Sequence, residues 1–173
     1  ARTMTPGEEG VAKRRRGDIG NRVKVNEKGK MGKARGQQIK DWLEKELNNV
    51  VAEKASERFG GGVVRFSGME LTVNANAAKG ERVQDIYVGG APIEMDKLYK
   101  MSACRREGEP LHMLCRMPNT VETVVMDYTI HDLIEEYLAH VDTISPLRDG
   151  RAKALDLGDN VLSQLPGTDY HFH

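Results

Sequence analysis

The alternation of apolar and polar positions divides the chain into strand-like and helix-like stretches. Val23 and Val25 alternate with charged residues. Asn26-Glu27-Lys28-Gly29 reads as a turn that returns Lys30–Ala34 as a second strand. From Gly36 the period changes. Ile39, Leu43, Leu47, Val50 and Val51 fall at helical spacing, with Trp42 and Glu46 flanking the stripe, which predicts an amphipathic helix. Asp41, Glu44 and Glu46 lie toward its start, where the helix dipole favours negative charge. Gly60-Gly61-Gly62 is expected to end it, because glycine accepts the left-handed conformation after a helix.

Strand patterns follow at Val63–Phe66 and, after a break at Gly68, at Glu70–Val73. Lys79-Gly80 reads as a loop, and Gln84, Ile86 and Val88 carry the next strand on one parity. Gly89-Gly90 is a two-residue hairpin signal before Ala91–Ile93. Tyr99, Met101 and Ala103 alternate in a further strand, whereas residues 104–127 have no clean period. Irregular connections of that length are usually functional or disordered. Thr129 with Asp132 forms a capping pair for a second helix carried by Ile130, Leu133, Ile134, Tyr137, Leu138 and Val141. Ser145-Pro146 is expected to close that helix. Asp149-Gly150 is a turn, Arg151–Leu155 a last short strand, and Gly158 to His173 an irregular tail. Strands joined by short turns pair antiparallel, so the expected fold class is α+β: a mainly antiparallel sheet with two main helices.

Composition adds scale and an asymmetry. At 173 residues the chain has the size of one domain. With 39% hydrophobic and 30% charged residues it has the profile of a soluble globular protein. No apolar run approaches the ~18–20 residues of a membrane-spanning helix, and no signal-peptide pattern opens the sequence. The zero net charge conceals a division: residues 1–40 hold 12 basic and 4 acidic side chains, the remainder 14 and 22. Residues 1–20 are therefore expected to be a basic, disordered arm, and 21–173 a single domain. A basic arm on an acidic body suggests an anion-binding edge or a segment that docks on its own domain. Arg14, Arg15 and Arg16 have no aromatic neighbours, which argues against stacking on single-stranded nucleic acid.

Candidate chemistry concentrates between residues 104 and 116. Cys104 and Cys115 have ten residues between them, and neither has a second Cys at zinc-ligand spacing. His112 lies three residues before Cys115, so a disulfide, two thiols and a fragmentary metal site all remain open. Arg105, Arg106, Glu107, Glu109 and Arg116 crowd the same stretch. Such a run is usually solvated, but arginine is also the fork that holds phosphate or carboxylate through two bonds. Gly17-Asp18 and Gly20-Asn21 abut and lack the spacing and the His that metallophosphatase ligand segments need, and His171 and His173 form only a terminal H-x-H. No nucleophile elbow, phosphate-binding P-loop or dinucleotide fingerprint is present.

Six segments in order resemble one known domain. Gly36-Gln37-Gln38-Ile39 with Asp41-Trp42-Leu43-Glu44 resembles the helix entry of the 5′-nucleotidase C-terminal domain. Phe66-Ser67-Gly68-Met69, Gly80-Glu81-Arg82-Val83, and Gly90-Ala91-Pro92-Ile93 with Asp96 to Tyr99 resemble its following strands and turns. Tyr128-Thr129-Ile130-His131 with Ile144-Ser145-Pro146, and Asp149-Gly150-Arg151, resemble its last helix and exit. Cys104 to Glu109 with Leu114-Cys115-Arg116 is similar to a bacterial branch near the sulfur-oxidation thiosulfohydrolases.

The resemblance implies a substrate-recognition domain of a 5′-nucleotidase-type metallophosphoesterase hydrolase acting on a nucleotide or related anionic ester. Its partners would be an N-terminal metallophosphoesterase domain and a small anionic substrate. Divalent metals are expected only in that other domain, with no cofactor and no catalytic residue in this chain. Arg105, Arg106, Glu107 and Arg116 are the expected substrate-binding residues. The compartment would be periplasmic or extracellular, which permits a Cys104–Cys115 bond. The family's base-sandwiching aromatics are replaced by Cys104-Arg105-Arg106-Glu107-Gly108-Glu109-Pro110 in one place and are missing from Asn21–Ala34 in the other. The alternatives are a binding or interaction module that has lost catalysis, or the C-terminal part of a thiosulfohydrolase-like enzyme.

Overall fold

The computed structural model describes residues 26–60, 65–105, 107–141 and 149–156, with backbone alone at Cys104. The expected arm, the Val23/Val25 strand, Gly61-Gly62, Val63-Val64, Arg106, Ser145-Pro146 and the tail from Gly158 lie outside these residues. The elements are β1 (Lys28–Arg35), α1 (Gly36–Val51), a 3-10 turn (Ala55–Glu57), β2 (Met69–Val73), β3 (Val83–Val88), β4 (Ala91–Pro92), β5 (Leu98–Cys104), β6 (Val121–Thr129), α2 (Ile130–His140) and β7 (Ala152–Ala154). The fold is α+β, and its described residues group into two compact units.

In the first unit, residues 26–33 and 100–141, a three-stranded sheet has the order β5-β1-β6. Strand β1 is antiparallel to β6, pairing Lys30 with Val125, Met31 with Val124 and Lys33 with Val121. Lys28 and Gly29 belong to β1 itself, so the turn expected at residues 26–29 is not formed. Strand β1 pairs instead with the distant β5 and β6, and residues 121–127 of β6 form strand where the sequence shows no clean period. Glu122 has a φ of 49° and the register shifts beside it. That bulge breaks the two-residue alternation by which a strand is recognised. Thr129 caps α2 as expected: its hydroxyl accepts from the Asp132 amide, while the Asp132 carboxylate accepts from the Thr129 amide at 2.8 Å.

In the second unit, residues 34–99 and 149–156, a sheet of order β4-β3-β2-β7 is antiparallel except where β7 runs parallel to β2. Helix α1 lays Ile39, Trp42, Leu43 and Leu47 into the core, against a sheet that contributes Leu71, Val83 and Ile86. Gly36 is required at its start: a β-carbon there would lie 2.3 Å from the Glu94 carbonyl oxygen. That approach lets the Gly36 and Gln37 amides donate to the Lys97 and Met95 carbonyls at 3.0 and 2.9 Å, satisfying donors that every helix start leaves open.

Two expectations for α1 are corrected. Its first turn holds no acidic residue, because Asp41 lies beyond it, and Glu44 and Glu46 are buried. The helix also ends at Val51, well before the glycines. There the Ala52 amide donates to the Asn48 carbonyl, the Gly60 amide to the Asn49 carbonyl, and the Arg58 guanidinium takes the carbonyls of Ala52 and Glu53 just beyond the helix. The Gly89-Gly90 turn forms as expected, with φ of 61° and 80°, the backbone of a two-residue hairpin.

Candidate functional site

The charged loop after β5 is held by a residue that the sequence pattern had placed in an unremarkable strand. Lys30, in the middle strand of its sheet, is 1% exposed. Its ammonium donates to the carbonyl oxygens of Pro110 at 2.7 Å and Met113 at 2.5 Å. It lies 3.7 Å from the nearly buried Glu109 carboxylate. The other Glu109 oxygen accepts from the Arg116 amide at 3.4 Å. One buried cation thus ties residues 109–113 to the sheet, and Glu109 extends the tie to the tip of the loop. A buried charge without such partners would cost several kcal/mol or more, about 3–5 kcal/mol when one member of a pair is removed.

That tip is a tight turn. Leu114 and Met117 are fully buried and exchange two backbone hydrogen bonds, each 2.9 Å. Between them Cys115 and Arg116 have φ of 51° and 67°. Successive left-handed residues form the same kind of two-residue turn as Gly89-Gly90, but here with side chains. Such conformations cost a non-glycine residue roughly 1–2 kcal/mol. The two flanking apolar anchors offset that cost and present Cys115 and Arg116 half-buried at the apex. At the base, the Thr120 amide and hydroxyl both donate to the His112 carbonyl, at 2.9 and 2.7 Å. Left-handed Asn119, φ 59°, completes the turn into β6.

The expected site residues divide accordingly. Arg116 is brought together with Glu109 and, through it, Lys30. Arg105 is exposed and continues the strand pairing, its amide donating to the Lys28 carbonyl at 2.9 Å. Glu107 is exposed. Arg106 and the Cys104 side chain lie outside the described residues, and with them the expected bond between Cys104 and Cys115. His112 is exposed, and among the described residues no group of three or more His, Cys, Asp or Glu is placed to hold a metal. The described residues therefore do not fit a two-metal centre.

The sequence reading missed Lys30, Leu114, Met117 and Thr120. Two signals were present: a lysine amid small residues in Lys28-Gly29-Lys30-Met31-Gly32, and the apolar pair Leu114 and Met117 bracketing two polar positions.

The second unit contains a cleft of about 510 Å³ at the end of α1, lined among others by Asn48, Lys54, Glu57, Arg58, Lys79 and Arg82. Most of its cations are engaged in structure. Arg82, nearly buried, donates to Asn48 Oδ1 at 2.9 Å and the Ala75 carbonyl at 3.2 Å. Lys79 pairs with Glu57 at 3.4 Å. The hydrogen bond from Asn48 and the charge of Lys79 hold the Glu57 carboxyl below its ordinary range. The Gly80-Glu81-Arg82-Val83 motif thus fastens the last turn of α1 to the loop at Asn74–Ala78. Asp149-Gly150-Arg151 is likewise structural: Arg151 pairs with Asp149 at 2.7 Å and donates to the Phe66 carbonyl at 2.6 Å.

Comparison with known proteins agrees with this architecture. A search of curated protein sequences finds no match. Among solved structures, a Thermus thermophilus sulfate thiohydrolase SoxB in complex with glycerol is 23% identical, with a TM-score of 0.56 over 75% of this chain. A 5′-nucleotidase precursor, also from Thermus thermophilus, is 15% identical, with a TM-score of 0.65 over 82% of the chain. A Staphylococcus aureus protein described as a 5′-nucleotidase is 13% identical, with a TM-score of 0.57 over 79%. At these identities the likeness is one of fold. The chain spans 23%, 28% and 29% of their respective lengths. The sequence model of the 5′-nucleotidase C-terminal domain matches residues 12–103, more than half of the chain, and the protein belongs to that family.

Proposed function

We propose that this domain recognises a small anionic substrate on behalf of a 5′-nucleotidase-type hydrolase whose metal-bearing domain lies outside this chain. The observation that carries the reading is the turn at residues 109–117, where half-buried Arg116 stands on a backbone fixed by nearly buried Glu109 and buried Lys30, Leu114 and Met117. An anion is held well only by groups already in place, because ordering a free long side chain costs up to about 2 kcal/mol. In this reading Arg116 and Arg105 bind the anion through their guanidinium groups, Arg106 joins them, and Glu107 orients a neutral part of the ligand. The function of the chain is to position substrate; the hydrolytic step belongs to the other domain. A bond between Cys104 and Cys115 would brace the loop further, in a periplasmic or extracellular setting.

A second reading concerns the ligand. Residues 104–117 and 26–35 hold no Phe, Tyr or Trp, so this surface offers no ring against which to stack a base. Each such stack contributes about 1–3 kcal/mol. A compact oxyanion without a base, such as a sulfur oxyanion, therefore suits the loop better than a nucleoside. Calorimetric titration with inorganic phosphate, thiosulfate and AMP tests both readings. Binding of the simple oxyanions, weakened at least fivefold by Arg116→Ala, supports them. Equal binding by wild type and Arg116→Ala would overturn the loop assignment. AMP binding far tighter than phosphate would overturn the second reading alone.

A further inference from the structure

The first unit carries an apolar surface that none of its described elements covers. Strand register places Val121, Val124, Met126 and Tyr128 on one face of β6 with Gly29, Met31 and Lys33 of β1, since paired residues share a face. Gly29 confirms the side: a β-carbon there would meet the Tyr128 ring at 3.0 Å and the Met126 side chain at 3.5 Å. Lys30 and its loop occupy the opposite face. On the open face Val124 is 57% exposed and Tyr128 37%. Helix α2, which continues directly from β6, leaves Leu133 and Tyr137 43% and 58% exposed and buries no residue fully. Residues 121–141 contain Glu122, Asp127, Asp132, Glu135 and Glu136 and no Lys or Arg; Lys33 and Lys28 of β1 already face Glu122 at 2.5 Å and Asp127 at 3.8 Å, so the acidic rim is that of α2, Asp132, Glu135 and Glu136.

The chain supplies a complementary segment at the right place. Residues 11–25 contain Lys13, Arg14, Arg15, Arg16, Arg22 and Lys24 against the single acid Asp18, with Val11, Ile19, Val23 and Val25 among them. This segment joins the described structure beside the β6–α2 junction. There the Glu27 carbonyl accepts from the Ile130 amide and the Asn26 side chain from the His131 amide, both at 3.0 Å. Fifteen residues can reach about 50 Å when extended, whereas α2, at 11 residues, is only about 16 Å long.

We propose that residues 11–25 dock on the acidic, apolar surface of β6 and α2 in their own chain. The apolar side chains cover Val124, Tyr128, Leu133 and Tyr137, and the basic ones neutralise the acidic rim. The docking is salt-sensitive, because rim charges are screened beyond about 8 Å at physiological ionic strength. It is independent of the function proposed for the loop.

The test uses the full chain. Zero-length carbodiimide coupling followed by peptide mass spectrometry should join Lys13 to Glu135 or Glu136 within the monomer. Amide exchange in Ile130–His140 should accelerate about tenfold, both in Arg14→Glu/Arg15→Glu/Arg16→Glu and in wild type at 0.5 M salt. Adding Glu135→Lys/Glu136→Lys to the triple variant should restore the protection. Circular dichroism confirms that each variant is folded. Lys13 links found only in a covalent dimer would assign the surface to a second copy. Exchange unaffected by both charge reversal and salt would assign it to another domain or partner. Either result overturns the proposal.

Discussion

Replacing Lys30 with methionine isolates the device on which the loop depends. Methionine fills most of the volume and keeps the strand, but removes the cation that faces Glu109 from β1. It leaves the Pro110 and Met113 carbonyls without the donor that now lies at 2.7 and 2.5 Å. The Glu109 carboxylate, 3.7 Å away and 5% exposed, stays behind. Removing one partner of a buried pair costs about 3–5 kcal/mol, and each orphaned carbonyl about 1–3 kcal/mol. These terms overlap, so the expected loss is about 3–5 kcal/mol, a large share of the ~5–15 kcal/mol that stabilises a domain. Urea unfolding reads it as a midpoint lowered by roughly 2 M, for a slope of ~1–3 kcal/mol/M. Glu109→Gln keeps the lysine on its carbonyls and should cost only about 1–2 kcal/mol. The double variant should be more stable than the sum predicts by about 1–3 kcal/mol, because the stranded carboxylate is then absent. Limited trypsin digestion reports the local effect: cleavage after Arg105, Arg106 and Arg116 should accelerate in Lys30→Met before global unfolding. A loss below about 1 kcal/mol with unchanged trypsin sites would refute the anchoring role.

Gly36→Ala should lower stability by about 1–3 kcal/mol or more, because the new methyl meets backbone at the Glu94 carbonyl; thermal unfolding checks it. Acid should loosen the second unit. The Asp149 carboxyl is held below its ordinary value by Arg151, Asp156 by the Ala75 and Asn76 amides, and Glu57 by Asn48 and Lys79. The stability these groups contribute is present above the carboxylate range of the unfolded chain and is lost as pH falls through their depressed folded values. Asp156→Asn should flatten the acid limb of a pH–stability profile. Added Mn²⁺, Zn²⁺ or Mg²⁺ should give the chain no phosphatase or nucleotidase turnover; chelator-sensitive hydrolysis of AMP would contradict the assignment of catalysis elsewhere. Thiol titration of the unfolded chain should find none if Cys104 and Cys115 are bonded and two if they are not.

Much of the second unit was legible because local rules agree with its tertiary structure. The stripe from Ile39 to Leu47 is buried, Gly89-Gly90 makes the hairpin turn, and Thr129 with Asp132 caps a helix of the first unit. The failures share a different origin. Strand β6 was hidden because the bulge at Glu122 interrupts its alternation. The partners of β1, β5 and β6, are some seventy and ninety residues away, and no local pattern encodes those pairings. The end of α1 was misplaced because the chain leaves the helix at Ala52 in an extended conformation that needs no glycine, and Gly60 reaches the Asn49 carbonyl only after the chain has turned back. At the candidate site, the arginines were found by type, but the residue that holds their loop was not. Lys30 is buried only because three carbonyl and carboxylate groups from residues 109–113 surround it. That environment exists only in the folded chain.

The account rests on the loop of residues 105–117 being an anion site, and the most direct test is to map binding residue by residue. Amide chemical shifts of the full chain should be followed during titration with inorganic phosphate and with thiosulfate. The predicted result is saturable shifts at Arg105, Glu107, Cys115 and Arg116, abolished in Arg116→Ala while the Lys30 amide keeps its position. Shifts confined to the cleft around Lys54, Arg58 and Lys79, or none beyond those produced by equal ionic strength of chloride, would contradict it.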